Sequence, residues 1–184
     1  MQLFLIRHPR PLLATGVCYG QLDVEAEDPW PLVERLRALL PDDIAVIASP
    51  SRRARAMAEA LHPQPQFDRR LMEIDFGAWE GCHWERIERT LLDAWAADVL
   101  HFVPPGGESA AMLQARVVDC ILTLSGSSCA LVTHAGVIRA LLGHWLRLPI
   151  GEWSQLALDF GGITLVELES CAADAPGVLH YLNR

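Results

Sequence analysis

Three short apolar runs, each followed by a segment of helical periodicity, organise the first 150 residues of the chain. The runs cover residues 3–6, 44–48 and 130–133. Such short, almost continuously apolar runs are typical of strands buried on both faces. Because strand and then helix recur three times, the pattern predicts an α/β fold. We expect a three-layer α/β/α sandwich around a mainly parallel sheet, formed by residues 1–184 as a single domain.

Helical spacing of apolar residues predicts helices over residues 30–40, 52–61, 84–97, 109–124 and 137–146. The segments 12–29 and 62–81 are expected to be loops, and Pro104-Pro105-Gly106-Gly107 is a clear break. Further strands are predicted at residues 156–160, 164–169 and 178–182. The helix from 109 has Ser109 as its candidate N-cap.

Composition and charge exclude several classes of protein. The chain has 184 residues, 51% of them hydrophobic, and a formal net charge of −8, which argues against a nucleic-acid partner. No apolar stretch approaches the roughly 20 residues needed to span a bilayer, so no membrane partner is expected. Five cysteines lie at positions 18, 82, 120, 129 and 171, with no CxxC pair. This pattern predicts reduced, mostly buried thiols and a cytoplasmic location.

Residues that could bind a ligand or take part in catalysis follow each of the three predicted strands. The first strand is followed by Arg7-His8, the second by Ser49-Pro50 and three nearby arginines, and the third by Thr133-His134-Ala135-Gly136. Ligands of parallel sheets bind at the carboxyl ends of the strands. A positive cluster there, in an acidic protein, predicts a phosphate site, since arginine forks and helix N-termini both bind phosphate oxygens.

A metal site is the weaker alternative for the two histidines. The flanking arginines would repel a cation, and the chain has no H-E-x-x-H motif or Cys/His pair at ligand spacing. No metal is therefore predicted. Proton transfer needs a carboxylate, and the segment 71–81 offers Glu73, Asp75 and Glu80. The residues alone do not separate these three acids.

Five segments, in order along the chain, resemble the histidine phosphatase superfamily, which includes cofactor-dependent phosphoglycerate mutase. The resemblance runs over residues 3–164. Its first motif is the apolar strand followed by Arg7-His8, and the other four are Ser49-Pro50-Ser51-Arg52-Arg53-Ala54, the sequence EIDFGAWEG at 73–81, the sequence PGGES at 105–109 and the sequence VTHAGVIR at 132–139. Three positions depart from the family pattern: Pro9 replaces a glycine, Arg10 replaces a common acidic residue and Ser51 replaces a leucine.

This resemblance implies a set of catalytic roles. His8 would be the nucleophile that forms a phosphohistidine, while Arg7, Arg53 and His134 would hold the phosphoryl oxygens. Glu73 would be the acid and base, and neither a metal nor a cofactor would be required. Substrate contacts are expected from Arg7, Arg53 and His134 and from a further set of residues: Arg10, Tyr19, Gln21, Glu108 and Ala135. Glu108 has a second interpretation, as an acid favoured at a helix N-terminus.

The stretch from Arg7-His8 to residues 16–23 is most similar to the α-ribazole phosphatase branch of the superfamily. This similarity implies hydrolysis of α-ribazole 5′-phosphate during assembly of the cobalamin nucleotide loop. Three alternatives stay open: a broad-specificity sugar or nucleotide phosphatase, a phosphoglycerate-type mutase, and a non-catalytic phospholigand sensor. The expected partner is a phosphorylated small molecule, and the chain is expected to be a monomer or a homodimer.

Overall fold

A central β-sheet positions the three strand ends. The computed structural model describes residues 1–169, 172 and 175–184. Within these residues, six strands form one sheet: β1 Gln2–Arg7, β2 Ala45–Ala48, β3 Gln66–Phe67, β4 Ser128–Thr133, β5 Ile163–Leu168 and β6 Gly177–Tyr181. Their order is β3-β2-β4-β1-β5-β6. The first four strands in that order are parallel, β5 is antiparallel to β1, and β6 is antiparallel to β5 and so runs in the same direction as β1. The expectation of a mainly parallel sheet is confirmed.

Helices cover both faces of this sheet. In the described part of the chain they are α1 Trp30–Arg37, α2 Arg52–Leu61, α3 Arg89–Ala97, α4 Ala110–Leu122, α5 Ala135–Trp145 and α6 Ile150–Trp153. Side chains of α1 and α2 pack in one apolar core, and side chains of α4 and α5 pack in the other. The strands separate these two cores, which gives the three layers that the sequence predicts.

The strand register brings the ends of the three predicted strands, and the residues that follow them, close together. Arg7, the last residue of β1, is paired with Thr133, the last residue of β4. On the other side of β4, Ala48 of β2 is paired with Val132. The carboxyl ends of β1, β2 and β4 therefore lie side by side, as the interpretation of the three strand ends requires.

One predicted helix is interrupted. In place of a continuous helix over 84–97, the chain forms a short 3₁₀ turn at Trp84–Arg86 and then α3. Ile87, between the two, has extended backbone angles and packs in a small cluster with Cys18 and Trp79. Burial of this side chain outweighs local helix propensity, because helices gain most of their stability from packing.

The predicted strand at residues 156–160 is wrong. This segment pairs with no strand, because its backbone groups contact side chains instead. The carbonyl oxygens of Leu156 and Leu158 accept hydrogen bonds from Arg139 and Arg7 respectively. The segment is therefore part of the site rather than of the sheet. The sequence interpretation also missed β3 and α6.

Three thiols, those of Cys18, Cys82 and Cys120, form no disulfide, and Cys18 and Cys120 are buried as expected. Cys129 is also buried, whereas Cys82 is exposed. Cys171 lies outside the described residues.

In the described ranges, no helix is both long and apolar enough to cross a membrane.

Candidate active site

His8 follows β1 directly and is fixed at both its backbone and its ring. Its N–H donates to the carbonyl of Thr133 over 2.9 Å. Its Nδ1 lies 2.6 Å from the carbonyl oxygen of Pro9. Because a carbonyl oxygen only accepts, Nδ1 must carry the proton, which leaves the lone pair on Nε2. The ring is thus held in the tautomer of a nitrogen nucleophile.

The surroundings of His8 keep its ring neutral. Burial is the largest cause, and with the positive charges of Arg53 and Arg7 it lowers the pKa of His8 to about 3. Only 2% of the residue is exposed. At neutral pH the Nε2 lone pair is therefore available for attack rather than bound to a proton.

His134 occupies the N-cap position of α5, without a capping hydrogen bond from its side chain, and its ring lies against that of His8. The two ring centroids are 5.0 Å apart, with the planes inclined at 62°. Nε2 of His134 lies 2.8 Å from Ser49 Oγ and 3.3 Å from Ser51 Oγ. Its Nδ1 is buried and has no hydrogen-bond partner among the described residues. Burial lowers the pKa of His134 well below its ordinary value, with smaller contributions from nearby positive groups.

Arg7 is held by the segment that had been expected to form a strand. Its guanidinium donates to the Leu158 carbonyl and lies over the Phe160 ring, 3.7 Å from the ring centroid. Burial lowers the pKa of Arg7, and the nearby Tyr19 and Glu73 oppose that effect. Phe160 also lies 5.7 Å from the His8 ring. One aromatic side chain therefore contacts both residues of the Arg7-His8 pair.

Arg53, on the first turn of α2, is completely buried. It donates to the carbonyl oxygens of Gly20 and Leu22, the latter over 2.9 Å. A guanidinium has five N–H donors, so three remain for other acceptors. Its Nε is buried without a partner in the described part of the chain. Burial lowers the pKa of Arg53, and among the groups that oppose this effect Glu73 contributes most.

Glu73 reaches the start of α5. Its carboxylate accepts the backbone N–H of Gly136 over 3.0 Å and that of Ile74 over 2.9 Å. A Cβ atom at position 136 would come within 2.2 Å of Glu73 Oε1, so only glycine permits this approach. Arg116 donates to the Glu73 carbonyl and fixes the backbone behind the carboxylate.

The other two acids of the segment 71–81 have structural partners. Glu80 accepts four backbone N–H groups, those of Gly20, Gln21, Leu22 and Phe76. Asp75 accepts the N–H of Gly77, two residues further along. Glu73 also accepts backbone N–H groups, but of the three acids it is the one that lines the cavity containing His8. The choice that the residues alone left open therefore favours Glu73.

A cavity of about 650 Å³ opens beside His8. Its polar wall includes Arg7, His8, Tyr19, Glu73 and Arg139, with Ala135 and Gly136 at the start of α5. The rest of the wall is largely apolar and aromatic, with side chains from the segment 74–76, α3, α4 and α6: Ile74, Phe76, Trp95, Leu113, Ile150 and Trp153. Arg53 and His134 are not among the residues that line this cavity, and both are completely buried next to it, within reach of His8.

Three expected substrate contacts lie away from the cavity wall. The Arg10 side chain is 64% exposed, is 3.9 Å from Glu27 and stacks over Phe160. Gln21 directs its side-chain amide to the Glu73 carbonyl, 3.3 Å away. Glu108 is buried, pairs with Arg116 and accepts the N–H of Asp75. This geometry gives Glu108 a role in supporting the Glu73 segment, and its partners in the described part of the chain include no N–H group from the first turn of α4.

Comparison with known proteins agrees with this arrangement. The sequence profile described as "Histidine phosphatase superfamily (branch 1)" matches residues 3–175. The chain belongs to the histidine phosphatase superfamily. The resemblance inferred from the five sequence motifs is confirmed, and the chain is accordingly a phosphatase of this superfamily.

Three similar proteins show what the chain resembles in sequence or in fold. "Putative phosphoserine phosphatase 2" of Hydrogenobacter thermophilus is 26% identical over all of this chain and 95% of that protein. The structure of a phosphoglycerate mutase from Thermus thermophilus is 28% identical, with a TM-score of 0.79, and covers 100% and 99% of the two chains. A "putative alpha-ribazole-5'-P phosphatase" from Escherichia coli has a TM-score of 0.85 at 24% identity, covering 100% and 96%. The last likeness shows the fold alone.

Several residues of this superfamily site were missed by reasoning from the sequence. Arg139 lines the cavity, and its position one helical turn after Ala135 would have revealed it. The sequence did not identify Phe160 as a site residue, because a phenylalanine outside a recognised motif is most simply explained by packing. Ser49 and Ser51 were noticed only as parts of a motif, although both contact the His134 ring.

Proposed function

We propose that this phosphatase hydrolyses α-ribazole 5′-phosphate through a phosphohistidine, in the cytoplasm, during assembly of the cobalamin nucleotide loop. The observation that carries the choice of substrate is the largely apolar, aromatic wall of the cavity beside His8. A leaving group that carries a benzimidazole base fits such a wall, because aromatic rings bury well against Phe76, Trp95 and Trp153.

In the first step, Nε2 of His8 attacks phosphorus in line with the leaving oxygen. The bond from nitrogen to phosphorus forms as the bond from phosphorus to the leaving oxygen breaks. Arg7, Arg53 and His134 donate to the three other oxygens, and Glu73, protonated at this point, gives its proton to the leaving alkoxide. The Pro9 carbonyl supports this step, since it stabilises the positive charge that develops on the His8 ring.

In the second step, water attacks phosphorus as Glu73 accepts a proton from it. The bond from phosphorus to His8 breaks, inorganic phosphate leaves, and Nε2 regains its lone pair. Glu73 thus returns to its protonated form, and the cycle consumes one water for each ester bond. No metal or cofactor enters either step.

A kinetic screen tests the substrate. Purified protein would be assayed against α-ribazole 5′-phosphate, sugar phosphates, nucleotides and phosphoserine under identical conditions. The highest kcat/KM is expected for α-ribazole 5′-phosphate, and a low rank for that compound would overturn the substrate assignment while leaving the phosphatase intact. Rapid quench with labelled substrate would detect an acid-labile, base-stable phosphoenzyme, and full turnover without one would contradict the covalent scheme.

Mutase activity needs its own measurement. The Thermus chain named as a phosphoglycerate mutase is matched over 99% of its length, so chain length does not separate hydrolysis from transfer. We expect inorganic phosphate to be released in preference to phosphoryl transfer to an added phosphoglycerate. A binding protein without turnover would instead retain phosphate while hydrolysing none of the esters in the screen.

A second candidate substrate class is a phosphomonoester that also carries a carboxylate, such as phosphoserine. Arg139 favours it, because this guanidinium lines the cavity and forms no ion pair with an acid among the described residues. Its one hydrogen bond there joins Nη2 to the Leu156 carbonyl at 3.2 Å. A carboxylate in the cavity would supply the missing negative partner.

The variant Arg139→Met separates the two substrate classes. If the carboxylate class is right, kcat/KM for phosphoserine falls about 10-fold or more, as expected when a charged hydrogen bond is lost. If the aromatic leaving group is right, kcat/KM for α-ribazole 5′-phosphate changes much less. Arg147→Met is the matched control, because Arg147 is exposed and lies outside the cavity wall.

A further inference from the structure

Ser51 occupies a helix N-cap without capping the helix. It precedes α2 and has the extended backbone angles of an N-cap, φ −59° and ψ 143°. A serine there ordinarily accepts a backbone N–H from the first turn through its hydroxyl. The Ser51 hydroxyl makes no such bond. Ser109, at the start of α4, shows the ordinary arrangement, since its Oγ accepts the N–H of Met112 over 3.2 Å.

The Ser51 hydroxyl points instead to the base of the phosphate site. Its Oγ is 3.3 Å from Nε2 of His134 and 3.2 Å from Ser49 Oγ, and Ser49 Oγ is 2.8 Å from the same Nε2. The three groups are buried, with exposures of 5% for Ser51 and 0% for the other two residues. Water therefore does not compete for these hydrogen bonds.

His134 needs one particular tautomer to bind a phosphoryl oxygen. Burial and the neighbouring positive groups keep the ring neutral, so only one of its nitrogens carries a proton. Nδ1 is the nitrogen without a partner among the described residues. It attracts an anionic oxygen only when it is protonated, whereas its lone pair would repel that oxygen.

Counting the acceptor sites on Ser49 shows how Ser51 selects that tautomer. Ser49 Oγ has two lone pairs, and the backbone N–H of Ser51 donates to one of them over 3.4 Å. The Ser49 hydroxyl can donate to Ser51 Oγ over 3.2 Å, and the buried Ser51 hydroxyl then has Nε2 of His134, 3.3 Å away, as its acceptor. If Ser51 donates to Ser49 Oγ instead, both lone pairs of Ser49 are engaged, and Ser49 must donate its own hydroxyl proton to Nε2. In both arrangements Nε2 accepts a proton, which places the imidazole proton on Nδ1.

We propose that Ser51 is a positioning residue whose hydroxyl, bonded to Nε2 of His134 directly or through Ser49, holds His134 in the Nδ1-protonated tautomer. This inference rests on the proposed role of His134 in binding the phosphoryl group. Leucine, the superfamily residue at this position, has no hydroxyl and would leave one lone pair of Ser49 open. Ser51 therefore adds a constraint that the common motif lacks, at the expense of the helix cap.

Nitrogen NMR of the His134 ring tests the tautomer directly. Wild-type protein is expected to show a protonated Nδ1, with inorganic phosphate as the added probe. In Ser51→Ala the two tautomers should mix, and the inhibition constant of inorganic phosphate should rise about 2- to 10-fold, the effect of one hydrogen bond. Ser51→Thr should restore both properties, because threonine retains the hydroxyl.

The control separates this effect from helix capping. Ser109→Ala removes a cap hydroxyl that does bind a backbone N–H, so it should lower stability and leave the His134 tautomer unchanged. An Nδ1 without a proton in wild-type protein would overturn the proposal. So would a Ser51→Ala variant with the wild-type tautomer and inhibition constant. Both readouts use inorganic phosphate, so they stand even if α-ribazole 5′-phosphate proves to be a poor substrate.

Discussion

Glu80 and Arg53 bind the same short loop, residues 20–22, Glu80 through its N–H groups and Arg53 through two of its carbonyl oxygens. The Glu80 carboxylate accepts the N–H groups of Gly20, Gln21 and Leu22, each over 2.9 Å. The Arg53 guanidinium donates to the carbonyl oxygens of Gly20 and Leu22. A loop whose donors and acceptors are both engaged has a fixed backbone, and it orients Arg53 beside His8.

Replacing Glu80 with glutamine should loosen this loop. The amide keeps one acceptor oxygen and adds an NH₂ group that faces backbone donors, so several charge-assisted hydrogen bonds are lost. We expect the free energy of unfolding to fall by about 2–3 kcal/mol and kcat/KM to fall with it. Urea denaturation and steady-state kinetics would measure the two effects.

The matched control for Glu80→Gln is Glu85→Gln, because the Glu85 side chain is 87% exposed and its carboxylate lies 3.6 Å from Nδ1 of His83. This control should change stability by less than about 0.5 kcal/mol. Wild-type stability in Glu80→Gln would show that the loop does not depend on the carboxylate.

The substitution Gly136→Ala should reduce turnover by displacing Glu73. The added Cβ would come 2.2 Å from Oε1 of Glu73, and the carboxylate would have to leave its bond with the Gly136 N–H. We expect kcat to fall about 10- to 100-fold, since small displacements of a catalytic group have effects of that order. Circular dichroism would check that the helix remains folded.

A double-mutant cycle with Glu73→Gln would assign that effect. If Gly136→Ala acts through Glu73, the double variant should be hardly slower than Glu73→Gln alone. Two losses that multiply would mean that position 136 affects turnover by a different route.

Stability should decline as the pH falls below about 6.5. The pKa of His8 is lowered from 6.5 to about 3, and that of His134 is also lowered. Between these pH values the unfolded chain binds protons that the folded protein excludes, so acid favours unfolding. In this range His8 contributes a slope of up to about 1.4 kcal/mol per pH unit, and His134 acts in the same direction.

Urea denaturation at pH 6 and pH 5 would test this slope. His8→Gln removes one titrating group, so the variant should lose about 1 kcal/mol less than wild type between these two values. Equal losses in the two proteins would show that His8 titrates alike in the folded and unfolded chains.

Pro9→Gly should keep most of the activity. The feature of Pro9 that contacts His8 is its carbonyl oxygen, 2.6 Å from Nδ1, and glycine retains it. Stability should fall by about 0.4–1 kcal/mol, because the unfolded chain gains freedom. Thermal denaturation and phosphate inhibition would measure both effects, and a large gain in phosphate affinity would show that the N–H missing from proline matters.

Local patterns were sufficient to predict much of the fold. The helix Arg52–Leu61 was predicted at its observed bounds, and the buried strands β1, β2 and β4 within two residues of theirs. These elements have strong apolar periodicity, and their patterns depend on few distant contacts. The same reasoning gave a wrong prediction for the segment 156–160. Its alternating apolar residues are typical of a strand, but its carbonyl groups accept hydrogen bonds from Arg7 and Arg139 instead.

The sequence by itself determined the chemistry at the strand ends, because Arg7-His8, Arg53 and His134 follow apolar runs that a parallel sheet must align. Only the tertiary structure decided which of the nearby acids reaches the start of α5 and which binds the loop at residues 20–22. All three candidate acids carry a carboxylate and lie within a stretch of eight residues: Glu73, Asp75 and Glu80. Their roles differ because the loop path brings four N–H groups to Glu80 and the start of α5 to Glu73. Such long-range hydrogen bonds leave no periodic pattern in the chain.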